Sequence, residues 1–397
     1  MPAIFEIHRT EYEIEDDRSV TVAAAQSPGR IHFLGEQCDP KSSFYLSAAI
    51  DRYINVAVSF RKDNSFRFFA SDLGERKRST LANLKYRRED RWANYLKTAI
   101  FLFIDLGFQM RGLNFSFSGD IPQNIGLATS TAIEVAAACA LRNLFRLQIN
   151  DNDLAQKLMS THSALFGQDA SLVDYQVCFF ARKDHFLVFD SSSGVCKTIP
   201  SPLARFRILL VDSRVPKLGA ESELASRHAD ALKGLEYLSR KQGGAAFRDF
   251  ASTDLLEALG DFPEQIRRRS MHIVEEIGRV NDASDALERS DIASLAKIIF
   301  YSHESLRDLY EISCPEVDWL VKRAQEIEGA AGSRMTGHGF GGCTYTIIRR
   351  ELVEEYKKRL EEYERIFGFR PFVYEVKLSG CARAVPERRR VNANTAH

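Results

Sequence analysis

Residues 119–145 read GDIPQNIGLATSTAIEVAAACALRNLF, a loop followed by an alanine-rich segment, and the rest of the first half is arranged around them. Just before this stretch, Leu113, Phe115 and Phe117 alternate with polar residues, a period of two that predicts a half-buried strand. After the loop, apolar residues recur at helical spacing from Ile133 to Leu144. A strand, a hydroxyl-bearing loop and a helix N-terminus in this order favour a site for an anion such as phosphate.

The polar residues of this loop allow two interpretations. The first N–H groups of the helix have no intrahelical partner, so they could bind a phosphate group. Alternatively, Thr129 or Ser130 caps the helix and satisfies those N–H groups itself. The loop has one glycine, Gly126, where nucleotide loops usually carry several, so this segment alone leaves both interpretations open.

The length and composition of the chain bound its class. At 397 residues it is too long for one hydrophobic core, so we predict two domains, 1–202 and 203–397, divided near Pro200 and Pro202. Apolar residues make up 45% and charged residues 27%, as in ordinary globular proteins, and the net charge is zero. A neutral chain implies no general attraction to nucleic acid or to an anionic membrane.

The N-terminus and the cysteines predict a cytoplasmic protein. The first residues lack the layout of a signal peptide, and no apolar run is long enough to cross a bilayer. The seven cysteines are scattered without metal-ligand spacing, which is typical of reduced thiols.

The remaining segments predict a strand-rich first half and a second half of helices on one face of an antiparallel sheet. A hairpin with a charged turn is predicted at 179–190, and a disordered basic tail from Arg388. Residues 21–35 are predicted as a strand that breaks at Ser27-Pro28-Gly29 and resumes as a second short strand. The other predicted strands are at 44–60, 66–72, 206–212, 345–348 and 372–378. The other predicted helices are at 92–106, from 151 onward, about 221–241, about 254–300 with breaks, up to 327, and 351–367.

Three local patterns are candidates for a functional site. Residues 36–39 are four polar or reactive side chains in a row, although a solvated turn explains each of them singly. Asp174 lies among apolar residues, where a carboxylate is costly unless it is paired or functional. Four glycines between 337 and 342 allow a backbone to approach a ligand closely, or form a flexible surface turn.

Five blocks of the sequence, in order, resemble motifs of the GHMP small-molecule kinases, and among these most resemble galactokinase. Residues 27–39, SPGRIHFLGEQCD, resemble the signature PGRVNLIGEHTD, and residues 122–132, PQNIGLATSTA, resemble the phosphate loop PxGxGLSSSA. Residues 332–343, GSRMTGHGFGGC, match GSRMTGGGFGGC at all but one position. Residues 92–97 and 302–316 contain two lesser matching blocks.

The resemblance implies an α+β fold, with a mixed α/β N-terminal domain and a ferredoxin-like C-terminal domain around the active site. It implies an ATP- and Mg²⁺-dependent kinase for the anomeric hydroxyl of galactose or a close relative. Asp174 would be the base, and Arg30 would stabilise charge on the transferring phosphoryl group. Glu36, Gln37 and Asp39 would contact the sugar.

The same resemblance implies a nucleotide site and a metal ligand. Ser130 would help to hold Mg²⁺, and Gly337 would line the sugar site from the second domain. The residues implied to bind nucleotide are Pro122, Asn124, Gly126, Leu127, Thr129, Ser130, Thr131, Trp92 and Gly339.

Several positions depart from the family pattern. Asn124 and Ile125 replace small residues of the phosphate loop, and the β-branched Ile125 is expected to leave less room for phosphate. His162 stands where the family has an acidic residue that assists the metal, and Ser171 replaces a glycine. Gln37 replaces a histidine that contacts the sugar, and Leu224 a tyrosine: these six departures are at positions 37, 124, 125, 162, 171 and 224.

Two functions therefore stay open. One is the sugar kinase, with a hexose and ATP as its partners; the other is a galactokinase-like sensor or regulator that binds sugar or nucleotide without efficient chemistry. We expect neither nucleic acid nor a membrane as a partner, and we expect a monomer, with oligomerisation left open.

Overall fold

The computed structural model describes residues 4–14, 20–38, 42–216 and 220–387. The sugar contact predicted for Asp39 and the tail predicted from Arg388 lie outside these residues. Within the described ranges, no helix combines the length and the apolar character that crossing a membrane requires.

The described residues form two sheets and eleven α-helices. The strands are β1 (Val22–Leu34), β2 (Phe44–Phe60), β3 (Ser65–Ala70), β4 (Glu75–Thr80), β5 (Leu113–Gly119), β6 (His185–Asp190), β7 (Cys196–Pro200), β8 (Phe206–Asp212), β9 (Ala330–Thr336), β10 (Cys343–Arg349), β11 (Phe372–Val376) and β12 (Arg383–Ala384). The helices are α1 (Ile4–Glu11), α2 (Ala93–Asp105), α3 (Thr129–Phe145), α4 (Asp151–Phe166), α5 (Leu172–Phe180), α6 (Ala220–Gln242), α7 (Ser252–Glu257), α8 (Glu264–Glu288), α9 (Ile292–Ser305), α10 (Pro315–Gln325) and α11 (Val353–Phe367).

The first sheet has eight strands and is organised by β2. Its main path runs β12-β1-β2-β5-β3-β4, and β6 and β7 join beside the start of β2. The N-terminal end of β2 pairs with β6, at Phe44 opposite Asp190, and its C-terminal end pairs with β5, at Phe60 opposite Leu113. The hairpin predicted at 179–190 is wrong in its first part, because α5 continues to Phe180 and only β6 is extended. The break predicted at Ser27-Pro28-Gly29 is also wrong, because β1 continues through these residues and only its register with β2 shifts between Pro28 and Gly29.

Helix α3 is buried on every side. It packs across β1 and β2 and beneath α2 and α5, and every residue from Thr131 to Leu141 is buried. The sequence indicated one apolar stripe, but the small alanine side chains let sheet and helices approach α3 from all directions. The predicted phosphate loop therefore leads into a helix that is buried along most of its length.

The second sheet is antiparallel, in the order β11-β8-β10-β9, and confirms the α+β expectation. Helices α10 and α11 pack on one face, over Leu209 and Val211 of β8. The opposite face is covered as well, because Tyr345 packs its ring 4.8 Å from that of Phe33 and donates to the Phe33 carbonyl at 2.7 Å. The sheet thus docks on β1, the strand that carries the sugar signature.

The chain passes between the two sheets near the predicted boundary. Pro200 ends β7 and Phe206 begins β8. The C-terminal segment nevertheless returns to the first sheet, where Ala384 of β12 pairs with Ala25 of β1. A division after residue 202 therefore stays a prediction.

Candidate active site

Arg30 and Asp174, the predicted charge stabiliser and base, form an ion pair. Arg30 extends from β1, and its Nε donates to Asp174 Oδ1 at 2.7 Å while its Nη2 donates to Oδ2 at 3.1 Å. Asp174 lies in the first turn of α5, where the helix dipole favours a negative charge. Ser171, which replaces a glycine of the motif, adopts φ −82° before this helix, a value open to any residue. The departure at position 171 therefore leaves the backbone at Asp174 undisturbed.

His32 is a second donor to the same carboxylate, and the sequence analysis did not single it out. Its Nε2 lies 2.9 Å from Asp174 Oδ1, and its Nδ1 lies 2.6 Å from Ser47 Oγ. A usable signal existed, because His32 follows Arg30 by two residues on one strand and therefore shares its face of the sheet.

These neighbours decide the charge states of the site. Burial alone would raise the pKa of Asp174, but the Arg30 charge and the hydrogen bond from His32 outweigh it and hold that pKa well below its ordinary value. Burial and the Arg30 charge also lower the pKa of His32. The site therefore contains an ionised Asp174 beside a neutral imidazole.

Arg30 also contacts the predicted phosphate loop. Its Nη1 donates to the carbonyl oxygen of Gly126 at 2.6 Å, and its backbone N–H donates to the carbonyl of Leu127 at 3.2 Å. The Arg30 side chain is 7% exposed, so these contacts form in a largely desolvated place. One guanidinium group thus joins the carboxylate of Asp174 to the loop.

The loop reaches its shape despite its departures from the family pattern. Asn124 adopts φ 64° and Gly126 φ 87°. Asparagine enters the left-handed region more readily than most residues, so Asn124 supplies a conformation that glycine would otherwise provide. Ile125 does not adopt a positive φ, and its side chain is 3% exposed within the main core. Its bulk therefore fills the core and does not occupy the space over the loop.

Helix α3 begins without a side-chain cap, so the capping interpretation for Thr129 and Ser130 is wrong. Ala128 occupies the cap position at φ 56°, and no side chain accepts a hydrogen bond there. The first backbone bond of the helix runs from Ala132 N–H to the carbonyl of Ala128, at 3.0 Å. Thr129 and Ser130 are half-buried and Thr131 is buried. An uncapped helix start with adjacent hydroxyl groups is an arrangement that suits an anion.

The sugar signature contacts the glycine-rich motif of the second half. Glu36 Oε2 accepts from Gly337 N–H at 2.7 Å, and Gln37 Nε2 donates to the Gly337 carbonyl at 2.9 Å. Burial raises the pKa of Glu36, but the nearby Arg30 charge outweighs this and the pKa lies below its ordinary value. A Cβ added to Gly126 would lie 2.7 Å from the Cα of Gly337, so the two loops touch through their backbones. The structure therefore brings these five residues together where the two halves meet.

Glu276 of α8 is a buried carboxylate that the sequence analysis missed. Four donors surround it: the Gly35 N–H at 3.0 Å, Arg279 Nε at 2.7 Å, Arg334 Nη2 at 3.3 Å, and Ser302 Oγ at 2.8 Å to Oε2. Two of these donors, Ser302 and Arg334, lie in blocks that match the family, which was the available signal. Glu276 ties the residue before Glu36 to the second half of the chain.

His162 is hydrogen-bonded to a carboxylate of helix α3. Its Nδ1 lies 2.7 Å from Oε1 of the fully buried Glu134, which also accepts from Thr98 Oγ1 at 3.0 Å and from the Tyr175 hydroxyl at 2.5 Å. Across the described ranges, no group of three or more His, Cys, Asp or Glu side chains could hold a metal ion. The metal contact of Ser130 stays a prediction.

Three other predicted positions have partners away from the Arg30–Asp174 pair. Trp92 donates from its indole Nε1 to Glu75 at 2.8 Å, and Gly339 packs against Ile312, whose carbonyl oxygen would lie 2.7 Å from an added Cβ. Leu224 packs against a buried apolar cluster of the second half that includes Leu238, Phe247 and Tyr310. The nucleotide roles of Trp92 and Gly339 also stay predictions.

Family models and curated relatives match this chain over most of its length. Family models described as galactokinase galactose-binding signature, GHMP kinases N terminal domain and GHMP kinases C terminal match residues 7–60, 94–182 and 283–365. A protein of Treponema pallidum (strain Nichols), provisionally named galactokinase, is 38% identical over 390 residues, 97% of each chain. The galactokinase of Roseiflexus sp. (strain RS-1) is 31% identical over 367 residues, 92% of this chain and 93% of the relative.

Solved structures show the same fold. The crystal structure of Lactococcus lactis galactokinase complexed with galactose has a TM-score of 0.87 at 24% identity, over 96% of this chain and 99% of the other. The mevalonate kinase of Methanococcus jannaschii has a TM-score of 0.67 at 16% identity, over 92% and 100%.

Proposed function

Because the chain belongs to the GHMP kinase family, we propose that it transfers the γ-phosphoryl group of ATP to the anomeric hydroxyl of galactose or a closely related hexose. The observation that carries this proposal is the position of Arg30, which bonds both to Asp174 and to the Gly126 carbonyl. One guanidinium group therefore contacts both the proposed proton acceptor and the proposed phosphate loop. The matching galactose-binding signature and the relatives named galactokinase support the choice of sugar.

Asp174 serves the acceptor hydroxyl. Oδ1 accepts from Arg30 Nε and His32 Nε2, whereas Oδ2 accepts from Arg30 Nη2, so Oδ2 has room for the sugar hydroxyl. With its pKa held low, Asp174 is ionised and a weak base. It therefore orients the hydroxyl first and takes the proton late, as the oxygen bonds to phosphorus and the bond to ADP breaks. Phosphoryl transfer through a loose transition state requires little more than this positioning and charge stabilisation.

The phosphate side is served by Arg30 and the start of α3. The uncapped N–H groups of this helix would donate hydrogen bonds to the phosphate oxygens of ATP, and Arg30 would stabilise negative charge on the group in transit. Mg²⁺ bound with ATP supplies further charge neutralisation. Ser130 would be its protein ligand. Glu134, one helical turn further on, is buried and hydrogen-bonded to three side chains, so it would not be available to the metal. The ion would then be held mainly by phosphate and water, as Mg²⁺ commonly is.

The sugar would bind against the signature residues of the first half. Among the residues that the structure describes, the nearest charged partner of Glu36 Oε1 is Arg30 Nη1 at 3.8 Å, so this oxygen would accept a sugar hydroxyl. Gln37 would present its amide oxygen while its nitrogen is bonded to Gly337. Asp39 is proposed as a third contact, and Gly337 as the lining from the second domain.

A coupled ADP-release assay with Mg-ATP across a panel of hexoses tests the proposal. Galactose or a hexose that differs from it at one ring position should support turnover. Asp174→Asn should lower kcat by about 10²–10⁴-fold, the usual range for a lost general base, while calorimetry still detects the sugar. The matched control is Asp63→Asn, because Asp63 makes a similar two-point contact with Arg61, at 2.7 Å twice, on the exposed surface. This control should turn over at the wild-type rate.

The outcomes separate the candidate functions. Sugar and nucleotide binding without ADP release from any hexose would replace the kinase with the binding regulator. Absence of hexose binding at millimolar concentration would remove both functions.

A further inference from the structure

His32 lies between Asp174, the proposed base, and strand β2, and it is hydrogen-bonded to both. The side chain is 2% exposed, and both ring nitrogens have partners on other elements. Nε2 lies 2.9 Å from Asp174 Oδ1 on α5, and Nδ1 lies 2.6 Å from Ser47 Oγ on β2. The Tyr45 ring lies 5.5 Å away, centre to centre, and closes one side of the imidazole.

Hydrogen-bond chemistry assigns the proton on this ring. Asp174 is ionised and can only accept, so Nε2 must carry the hydrogen. Burial and the adjacent Arg30 charge disfavour a second proton on the ring, so Nδ1 is an acceptor. The Ser47 hydroxyl then donates to Nδ1. In the row Ser47, His32, Asp174, both hydrogen bonds are therefore donated in the same direction, from Ser47 to His32 and from His32 to Asp174.

This row restrains the carboxylate at one oxygen. Arg30 alone could hold both oxygens and still pivot with its long side chain. A second donor at Oδ1, fixed to a neighbouring strand, removes that freedom and leaves Oδ2 as the oxygen that can meet a hydroxyl. We propose that His32, held by Ser47, is a positioning residue that aims Oδ2 of Asp174 at the acceptor hydroxyl. This inference rests on the kinase function proposed above.

The test compares a substitution that removes the hydrogen-bond donor at position 32, one that keeps a donor there, and one that removes its anchor at Ser47. His32→Leu removes the donor, and we expect kcat to fall about 10–100-fold, as misplaced reacting groups do, with the galactose Kd changed by less than about threefold. His32→Gln can place its amide N–H near the position of Nε2, and it should recover most of kcat. Ser47→Ala removes only the anchor and should lower kcat several-fold without unfolding the protein.

His8 offers a matched control for the loss of a buried histidine. It is fully buried, and its ring nitrogens lie 3.0 Å from Ser116 Oγ and 2.9 Å from Ser59 Oγ, at the opposite end of β2. His8→Leu should lower the melting temperature and leave kcat per folded molecule unchanged. A role of His32 in stability alone would make the two leucine variants behave alike.

A spectroscopic readout is independent of turnover. Nitrogen-15 NMR of labelled histidine should show His32 as the neutral Nε2–H tautomer, with a resonance that moves in Asp174→Asn. An Nδ1–H tautomer, or no response to Asp174→Asn, would overturn the proposal whether or not the enzyme is active. A kcat within about twofold of the wild-type value in His32→Leu would also overturn the proposal. If that variant does not fold, the same result in Ser47→Ala would overturn it. An inactive wild type with the expected tautomer would reject the kinase function and leave the geometry of His32 supported.

Discussion

The buried Glu276 offers the sharpest test of how the two halves are held together. Glu276→Gln keeps the size of the side chain but removes its charge. All four groups around it are donors: Gly35 N–H, Ser302 Oγ, Arg279 Nε and Arg334 Nη2. The amide nitrogen of glutamine is itself a hydrogen-bond donor, and it would lie opposite groups that are also donors. At least one buried group would therefore lose its partner. Two arginines would also lose their common counter-charge.

The magnitude follows from this burial. Removing one partner of a buried ion pair costs about 3–5 kcal/mol of unfolding free energy, because uncompensated charge remains inside. For a cooperative unit of 150–250 residues this corresponds to a drop in melting temperature of roughly 6–20 °C. The matched control is Glu275→Gln, since Glu275 also pairs with Arg279, at 3.1 Å, but is 35% exposed. Because the Glu275 carboxylate is partly open to water, we expect its loss to cost about 1 kcal/mol or less, well below the cost at Glu276.

The effect should depend on pH in a defined direction. Burial raises the pKa of Glu276, but Arg279 and Arg334 outweigh it and hold the pKa well below its ordinary value of about 4.3. The stabilisation is therefore complete above that ordinary value and is lost as the pH falls below it. The wild type and Glu276→Gln should converge in stability at low pH.

Thermal and denaturant unfolding of both variants, at neutral pH and at pH 3, measures these quantities. Galactose binding should also weaken in Glu276→Gln, because Gly35 precedes Glu36, the proposed sugar contact, and loses its anchor. Equal losses of stability in Glu276→Gln and Glu275→Gln at neutral pH would refute the reasoning.

The remaining predictions concern the phosphate loop and the cluster behind it. Asn124→Gly should change the calorimetric Mg-ATP affinity by less than about threefold, because Asn124 already adopts φ 64°, and a larger gain would show that this side chain obstructs the nucleotide. Ile125→Gly should lower the free energy of unfolding, measured in denaturant, by about 2–5 kcal/mol through loss of a buried side chain. Gly126→Ala should abolish turnover in the ADP-release assay, because the new Cβ would lie 2.7 Å from opposing backbone, and normal kcat would contradict the backbone contact described. His162→Glu should lower the melting temperature without metal, because it places a second carboxylate beside the buried Glu134, and an unchanged melt would disprove that repulsion.

The sequence by itself determined the local elements and the identities of the central residues. Periods of two and 3.6 predicted a strand at 113–118 and a helix at 133–144, because backbone geometry imposes these periods on any strand or helix. The structure has these elements at Leu113–Gly119 and Thr129–Phe145. Motif resemblance indicated Arg30 and Asp174, and the structure places them in contact although they lie 144 residues apart. Neither periodicity nor spacing could show that contact without the motif.

Only the tertiary structure decided which side chains surround those residues. His32 and Glu276 look ordinary in the sequence, since a buried polar residue is recognised by its partners, and these lie on other strands and helices. The contrary case is Ile125, which the sequence predicted to leave less room for phosphate, whereas the structure places its side chain in the core. A loop's backbone direction depends on the elements at both of its ends, and the sheet and helix that flank this loop are set by long-range packing. That packing determines where side chains point, and local sequence does not encode it.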